Sequence, residues 1–431
     1  MEDGLIDLDV TGVAHGGVFV GRHEGRVVFV PDAIPGERVR VRLTDTAKGS
    51  FWRGEALEIL DASPHRRPHV WRQADIDVAP DHRPGGADFG HIDLAHQREL
   101  KLRVAQDALE RIGRLKLPVT IEPALADDRA GQETPDGTGW RTRVSLHVDE
   151  EGRIGPFAAR SHHVIPVDDH PLATPEVARA AAELSSGKPG RIDLIQPADG
   201  RVRVIPKPEA PRGPRRGAPR QRHHGKDPGR EVVVERAGGR DFRVDAGGFW
   251  QVHRLAAHTL STVVADQLRG TVDPDGWHLD LYGGVGLFAA TIADLGGARV
   301  TSVESDPRAT EHAGANLADW VGARAETGRV DRWIGRLRDE ASLTQRERLS
   351  RGVVVLDPPR SGAGREVVEG VAALAPATVV YVACDPVALA RDLATFRAHG
   401  YEAEGVAAFD LFPNSHHVEA VTTLTRVGVA R

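Results

Sequence analysis

The sequence contains one cysteine, Cys384, which follows an apolar run typical of a buried strand. A thiolate is a strong nucleophile, and the N-terminus of the helix predicted after Pro386 favours that charged form. The neighbouring Asp385 would raise the thiol pKa slightly. A single cysteine is usually inert packing, but the carboxyl end of a strand is where open α/β sheets bind ligands. We therefore predict that Cys384 is a catalytic nucleophile.

Two other predicted strands also end in carboxylates. Asp357 closes the apolar run VVVL and precedes two prolines and an arginine, and Glu304 ends the run RVTSVE. A carboxylate such as Glu304 can accept two hydrogen bonds from a ribose diol. Upstream, a strand leads into a glycine turn and a helix in HLDLYGGVGLFA, which includes Gly284 and Gly286. This turn also satisfies the loose dinucleotide pattern, so the residues alone leave both NAD and S-adenosylmethionine open.

A further motif, FDLFPNSHHVE, contains two histidines and a carboxylate before the last predicted strand. His417 and Glu419 alternate with Val418, so they share one face of an extended chain. Either side chain could act as a general base. Two histidines and a carboxylate could instead hold a metal ion, but no second pair of ligands lies nearby in the sequence, so we predict no metal site.

The elements that must position these residues form an alternation of apolar strands and helices from residue 231 to the C-terminus. This alternation predicts a doubly wound, Rossmann-like α/β sheet. Residues 1–61 instead read as short strands separated by tight turns, which favours a small OB-like β-barrel. In the predicted strand RVRVRL, Arg38, Arg40 and Arg42 lie on one face, so they could contact an anionic backbone or simply be solvated.

The segment between these parts is predicted to be β-rich, with an amphipathic helix at 94–115 and a Pro-rich basic loop at 206–230. We accordingly predict three domains, at 1–61, 62–240 and 241–431. The net charge of −6 means that any nucleic-acid surface must be local. A single cysteine excludes an internal disulfide, and no apolar run approaches the ~20 residues of a membrane helix. These features predict a cytoplasmic protein that does not contact membranes, and nothing in them demands more than a monomer.

Together, these motifs resemble the RNA 5-methyluridine methyltransferase family, which acts on transfer RNA or 23S ribosomal RNA. The resemblance rests on C-D-P for the family's C-N-P, D-P-P-R, D-L-Y-G-G-V-G and the terminal F-P-x-x-x-H-x-E. Residues 4–60 are similar to the TRAM barrel that is often fused to these enzymes. The segment AGGFWQVH resembles the family's F-x-Q-V/T-N, and the likeness extends over nearly the whole chain.

The resemblance implies that S-adenosylmethionine is the cofactor and that RNA is the partner. It implies that Cys384 is the nucleophile and Glu419 the base. Where many relatives bind an iron–sulfur cluster through four cysteines, this chain reads HRPGGAD, so no cluster is expected. The residue that reads the adenine ring stays open between Arg329 and Asp331. The implied cofactor-binding residues are Gln251, Tyr282, Gly284, Gly286, Glu304 and Asp357, and the predicted RNA contacts are Arg38, Arg40, Arg42, Arg141 and Arg143.

Two other functions compete with this interpretation. RNA cytosine-5 methyltransferases resemble the fold but usually use two cysteines, one to attack and one to assist release, and this chain has one. A catalytically idle RNA-binding protein would need the barrel and the basic loop only. It would have no use for the cysteine, the D-P-P-R motif and the H-x-E motif together.

Overall fold

The structure is a computed structural model that describes residues 4–209 and 227–428. The basic loop predicted at 206–230 falls largely outside the described residues.

The N-terminal strands close into a barrel with the order β1-β2-β3-β5-β4. In β4, valines at 39 and 41 are fully buried, while the arginines between and beside them face outward, as the alternation predicts. The predicted OB-like barrel is therefore confirmed. Its strands are β1 (Leu5–Ala14), β2 (Val18–His23), β3 (Arg26–Val30), β4 (Arg38–Asp45) and β5 (Phe51–Asp61).

The barrel is docked firmly onto the irregular segment that follows it. Arg66 donates through Nε to Oε1 of the buried Glu37 at 2.6 Å. Arg83 donates to Oδ2 of Asp32 at 2.8 Å. Buried charge-assisted hydrogen bonds of this kind are stronger than neutral ones, so they fix the barrel's position against the rest of the chain.

Helix α1 (Leu94–Ala108) links the barrel to the C-terminal half of the molecule. Its N-cap is Asp93, whose carboxylate accepts from the His96 amide at 2.8 Å. Leu100 packs into the barrel core, whereas Ala105 and Ala108 belong to the core of the large C-terminal sheet. The α-helix predicted over 94–115 ends at Ala108, because a π-helical turn follows over Leu109–Gly113 and Arg114 then adopts a left-handed conformation.

The central part of the chain forms a small antiparallel sheet, in the order β10-β9-β7-β8, and a separate hairpin of β11 and β12. One further strand from the central part of the chain, β6, belongs instead to the large C-terminal sheet. It pairs in parallel with β19 (Val406–Asp410). The elements are β6 (Val119–Pro123), β7 (Arg143–Val148), β8 (Ile154–Gly155), α2 (Pro175–Ala182), β9 (Gly190–Ile195), β10 (Arg203–Pro208), β11 (Val232–Ala237) and β12 (Arg240–Asp245).

The C-terminal half is a doubly wound sheet in the order β15-β14-β13-β16-β17-β20-β19-β6, with β18 also paired to β20. β13 to β17 run parallel and β20 runs antiparallel, which confirms the predicted Rossmann-like fold. Within the described ranges, no helix has the length and apolarity needed to cross a bilayer. The elements are α3 (Ala256–Leu268), β13 (His278–Leu281), α4 (Leu287–Asp294), β14 (Val300–Glu304), α5 (Pro307–Asn316), β15 (Ala323–Thr327), α6 (Val330–Glu340), α7 (Leu343–Ser350), β16 (Val353–Leu356), α8 (Arg365–Leu374), β17 (Thr378–Ala383), α9 (Pro386–Ala398), β18 (Tyr401–Ala403), β19 (Val406–Asp410) and β20 (Glu419–Arg426).

The strand register aligns the ends of these strands at one edge of the sheet. Leu281 of β13 pairs with both Val303 of β14 and Leu356 of β16. Leu356 in turn pairs with Tyr381 of β17, and Ala383 pairs with Ala420 of β20. The residues just beyond these pairs are Tyr282, Glu304, Asp357, Cys384 and Glu419, so the fold brings the predicted site residues to a common edge.

Candidate active site

The glycine turn after β13 is shaped by backbone conformations that side chains rarely allow. Gly284 and Gly286 have positive φ angles of 53° and 91°, and Gly286 is the N-cap of α4. Tyr282 also has a positive φ of 65°, which costs on the order of 1 kcal/mol and is typical of functional turns. A Cβ at Gly283 would lie 2.0 Å from the Ser302 hydroxyl, so the turn requires glycine there too. A Cβ at Gly284 would meet only open space, which leaves room for a ligand.

Two carboxyl groups anchor this turn: Asp280 in β13 itself and Glu304 at the end of the neighbouring strand β14. Glu304 accepts from the Gly284 amide at 3.2 Å through Oε2 and from the Asp306 amide at 2.8 Å through Oε1. Burial raises the pKa of Asp280 to about 7. Its Oδ2 accepts from the Ala289 amide at 3.0 Å, whereas its buried Oδ1 has no partner among the described residues. The turn thus offers a preorganised carboxylate, which can accept hydrogen bonds from a ribose diol, beside an open glycine surface.

The surroundings of the remaining predicted cofactor residues differ from one residue to the next. Burial and the nearby Asp280 raise the pKa of Asp357 to about 7. Arg329 and Asp331 form an ion pair at 2.6 Å, and both interact electrostatically with Tyr282, whose pKa rises to about 12, chiefly through burial. Gln251 is half-buried in the loop before α3, and no hydrogen bond in the described part of the chain joins it to the glycine turn.

Cys384 stands between β17 and α9, half-buried and opposite the start of β20. Burial, followed by the Glu419 and Asp357 carboxyl groups, raises the pKa of its thiol to about 12, and Arg360 opposes this shift. In the free protein, burial and these carboxyl groups outweigh the backbone hydrogen bond and Arg360, which both favour the thiolate. The helix end is satisfied by Asp385, whose carboxylate accepts from the Ala388 amide at 2.8 Å.

Glu419 begins β20 and is 4% exposed. Burial raises its pKa well above the ordinary range, and Asp357 adds to that shift. Its Oε2 is buried and has no hydrogen-bond partner among the described residues. An unpartnered buried carboxyl is costly, and such groups are concentrated at functional sites. Burial therefore favours the protonated form of Glu419 in the free protein.

Arg360 is a cation beside Cys384 and Glu419. It completes the D-P-P-R motif, but the motif alone does not predict this electrostatic role. It lowers the pKa values of the Cys384 thiol and the Glu419 carboxyl. Its Nη2 lies 3.3 Å from Nε2 of His417. Burial, together with His416 and Arg360, lowers the pKa of His417 to about 3, so this ring is neutral. Within residues 4–209 and 227–428, no group of acidic, histidine or cysteine side chains is placed to hold a metal ion.

The arginines predicted to contact RNA differ in how far they are already neutralised. Arg143 forms a buried ion pair with Glu235 at 2.8 Å. On the barrel face, Arg40 pairs with Asp7 at 3.1 Å, Arg42 pairs with Glu55, and Arg38 lies at 4.0 Å from Asp7. Arg141 is held differently: its Nε donates to the Arg143 carbonyl, and none of the salt bridges between described residues includes it. Burial and the nearby Arg360 lower the pKa of Arg141.

Comparison with known proteins places this arrangement in a family. The sequence profile of the tRNA (uracil-5-)-methyltransferase family matches residues 329–427, and that of the TRAM domain matches residues 5–57. An RNA methyltransferase of Streptomyces avermitilis is 38% identical over 97% of both chains. An RNA methyltransferase of Bifidobacterium longum is 35% identical over 94% of this chain and 93% of its own.

The crystal structure of Pyrococcus abyssi tRNA (uracil-54, C5)-methyltransferase, in complex with S-adenosyl-L-homocysteine, is similar over 97% of this chain and all of its own. The TM-score is 0.66 at 20% sequence identity, so this likeness concerns the fold. Fold and relatives together define an RNA methyltransferase with a TRAM barrel. The chain belongs to this family of RNA methyltransferases, and its C-terminal part matches the tRNA (uracil-5-)-methyltransferase model.

Proposed function

We propose that this enzyme methylates carbon 5 of a uridine in transfer RNA or 23S ribosomal RNA through a covalent adduct at Cys384. The observation that carries the proposal is the meeting of Cys384, Asp357 and Glu419 at one edge of the sheet, beside Arg360. A nucleophile facing a proton acceptor suits this reaction, because carbon 5 of uracil must first be activated and later lose a proton.

S-adenosylmethionine is the methyl donor. When bound, it supplies a methyl group as an electrophile on a positively charged sulfur. The residues around the glycine turn fit this molecule, because Glu304 offers carboxylate oxygens to a ribose diol and the Gly284 surface is open. We assign its binding to Gln251, Tyr282, Gly284, Gly286, Glu304 and Asp357, with Arg329 and Asp331 next to Tyr282.

The first task of the protein is to make Cys384 nucleophilic. The thiol must lose its proton before its sulfur can attack carbon 6 of the uracil, and Arg360 is the side chain that favours the thiolate. As the sulfur–carbon bond forms, the electron pair of the carbon 5–carbon 6 double bond moves towards the carbonyl oxygen and gives an enolate. Carbon 5 of this enolate then takes the methyl group.

The second task is to release the product. A base removes the remaining proton from carbon 5, the double bond reforms, and the sulfur leaves carbon 6 as a thiolate. We assign this step to Glu419, because β20 starts opposite the end of β17 and the Glu419 carboxyl group interacts electrostatically with the Cys384 thiol. Arg360 lowers the pKa of Glu419, which supports the ionised form that the step needs.

Among the predicted RNA contacts, Arg141 has the strongest physical support. It lies close enough to Arg360 for the two charges to interact, and none of the described carboxylates forms a salt bridge with it. Two cations without a carboxylate partner favour a phosphate group between them. The other four arginines stay predicted contacts. To bind RNA, each would have to leave its carboxylate partner in the protein and pair with a phosphate group; they are Arg38, Arg40, Arg42 and Arg143.

A mechanism-based RNA tests this proposal against the cytosine-5 alternative. Fluorine at carbon 5 cannot leave as a proton does, so the adduct cannot resolve. We expect RNA containing 5-fluorouridine, incubated with the enzyme and S-adenosylmethionine, to give a complex that survives denaturing electrophoresis. The same RNA with 5-fluorocytidine at the target should give none. If an RNA that binds the enzyme forms no adduct with 5-fluorouridine, the proposal is wrong.

Replacing Glu304 by alanine should weaken cofactor binding. The substitution removes the proposed acceptor of the ribose diol and the partner of the Gly284 amide. Hydrogen bonds to a charged group are worth roughly 1.5–3 kcal/mol, which corresponds to a 10- to 150-fold rise in the dissociation constant. Isothermal titration with S-adenosylhomocysteine measures it, and Glu311→Ala on the exposed face of α5 is the matched control. An unchanged constant in Glu304→Ala would remove Glu304 from the cofactor site.

A further inference from the structure

The barrel contributes one wall of the pocket that contains Cys384. Its β1–β2 turn, residues 14–17, lies across the pocket from the start of α9 and from the loop before β20. In the sequence, it is one of the tight turns that separate the short strands of residues 1–61. The charged and titratable side chains that share the pocket with it are Lys101, Arg360, Cys384, Asp385, His416 and His417.

The closest polar contact across this boundary joins the turn to the residue next to the nucleophile. Nε2 of His15 lies 2.9 Å from Oδ2 of Asp385. The hydrogen bond with Asp385 raises the pKa of His15, and the same contact helps to lower the pKa of Asp385. Through its other oxygen, Asp385 caps α9 at the Ala388 amide. One carboxylate therefore connects the barrel turn to the helix that starts just after Cys384.

A second contact seats the turn on the loop that leads to Glu419. A Cβ at Gly17 would lie 2.8 Å from Nδ1 of His416, so the turn has room for glycine only. His416 is itself fixed, because its Nδ1 lies 2.6 Å from Oδ2 of Asp88. Gly16 and Gly17 have positive φ angles, which permit this close approach. The turn therefore contacts Asp385, the residue after Cys384, and His416, three residues before Glu419.

We propose that residues 14–17 form a wall of the pocket that receives the target nucleotide, and that His15 is a positioning residue that holds this wall against Asp385. The inference rests on the proposed function, because it takes the occupant of the pocket to be the extruded uridine. The barrel is then a part of the active site as well as an RNA-binding module. The hydrogen bonds of Arg66 and Arg83 hold the barrel against the rest of the chain, and this fixes the position of the turn at the pocket.

The contact has a defined pH dependence. Since the folded-state pKa of His15 is raised, the ion pair is complete below the ordinary pKa of histidine while Asp385 stays ionised, and it is lost as pH rises through the raised pKa. His416, His417, Lys101 and Arg360 line the same pocket and are shared by wild type and variant. Comparing the two proteins at each pH therefore isolates the contribution of His15.

Because Cys384 is the single cysteine, its alkylation by iodoacetamide tests the wall without RNA or cofactor. We expect His15→Ala to be alkylated about fivefold faster than wild type at pH 7, and the ratio to shrink towards one by pH 9. His82→Ala, which removes an exposed histidine outside the pocket, should leave the rate unchanged.

A double-mutant cycle separates the contact from any direct effect on the thiol. Asp385→Asn removes the charge but keeps a side chain that can cap α9. In the Asp385→Asn background, His15→Ala should change the alkylation rate less than 1.5-fold. If His15→Ala leaves the rate unchanged in the wild-type background, or gives the full fivefold effect in both, the positioning contact is refuted.

A second measurement concerns the occupant of the pocket. With 5-fluorouridine RNA, His15→Ala should lower the saturating rate of adduct formation about fivefold and change the half-saturating RNA concentration less than twofold. Equal saturating rates would refute the wall as part of the substrate pocket. If wild-type enzyme forms no adduct at all, the proposed function fails, while the alkylation cycle still decides the His15–Asp385 contact on its own.

Discussion

Cys384→Ala should abolish methylation, with a loss of at least about 10⁴-fold in turnover, the scale seen when a covalent nucleophile is removed. Without the sulfur, carbon 5 of uracil is not activated, and no other cysteine can replace it. Cys384→Ser should fail equally, because a hydroxyl is far harder to ionise than a thiol. Transfer of a radiolabelled methyl group to RNA measures the loss, and the 5-fluorouridine adduct should disappear in both variants.

Binding data separate a chemical defect from a folding defect in this experiment. Cys384 is half-buried, and Cys384→Ala removes only one atom, so the variant should fold normally and bind S-adenosylhomocysteine with wild-type affinity. Residual turnover above about a hundredth of the wild-type value, with normal cofactor binding, would show that the reaction does not pass through Cys384.

The sequence predicts the position of this site well because strand ends are a local property. Each apolar run that closes with Glu304, Asp357 or Cys384 is recognisable alone, and parallel strands place their carboxyl ends at one edge. The alternation in β4 likewise predicts the buried and exposed faces of the barrel. For these parts of the fold, the hydrophobic periodicity and the strand direction are enough to predict the structure.

The electrostatics could not be predicted in the same way. The thiol pKa of Cys384 depends on burial and on carboxylates from β16 and β20, which only the folded sheet brings together. The partners of Arg143 and Arg40 are also set by tertiary contacts, so a strand face that reads as basic in sequence is paired in the structure. The contact between His15 and Asp385 joins residues 370 positions apart, so no local sequence pattern indicates it.

Glu419→Gln should allow attack and methyl transfer but stall before release, because glutamine cannot accept the proton from carbon 5. Loss of a general base typically costs 10²–10⁴-fold, so turnover should fall by about that factor. A denaturation-stable complex of enzyme and methylated RNA should accumulate with ordinary uridine, close to one per enzyme. Electrophoresis of the complex, with a radiolabelled methyl group, detects it. Cofactor affinity should be unchanged, since β16 and β17 separate β20 from β13 and its glycine turn.

The pH profile makes this test specific to the carboxyl group. Burial raises the pKa of Glu419 well above its ordinary range, so its carboxylate fraction is smaller than that of an ordinary glutamate at the same pH and grows as pH rises. Release by wild type should therefore accelerate with pH, whereas release by Glu419→Gln should lack this dependence. Glu402→Gln, on the exposed side of β18, controls for loss of a carboxylate near β20. Wild-type turnover in Glu419→Gln, or the same pH dependence in both proteins, would assign the base to another group, because no amide can supply that proton acceptor.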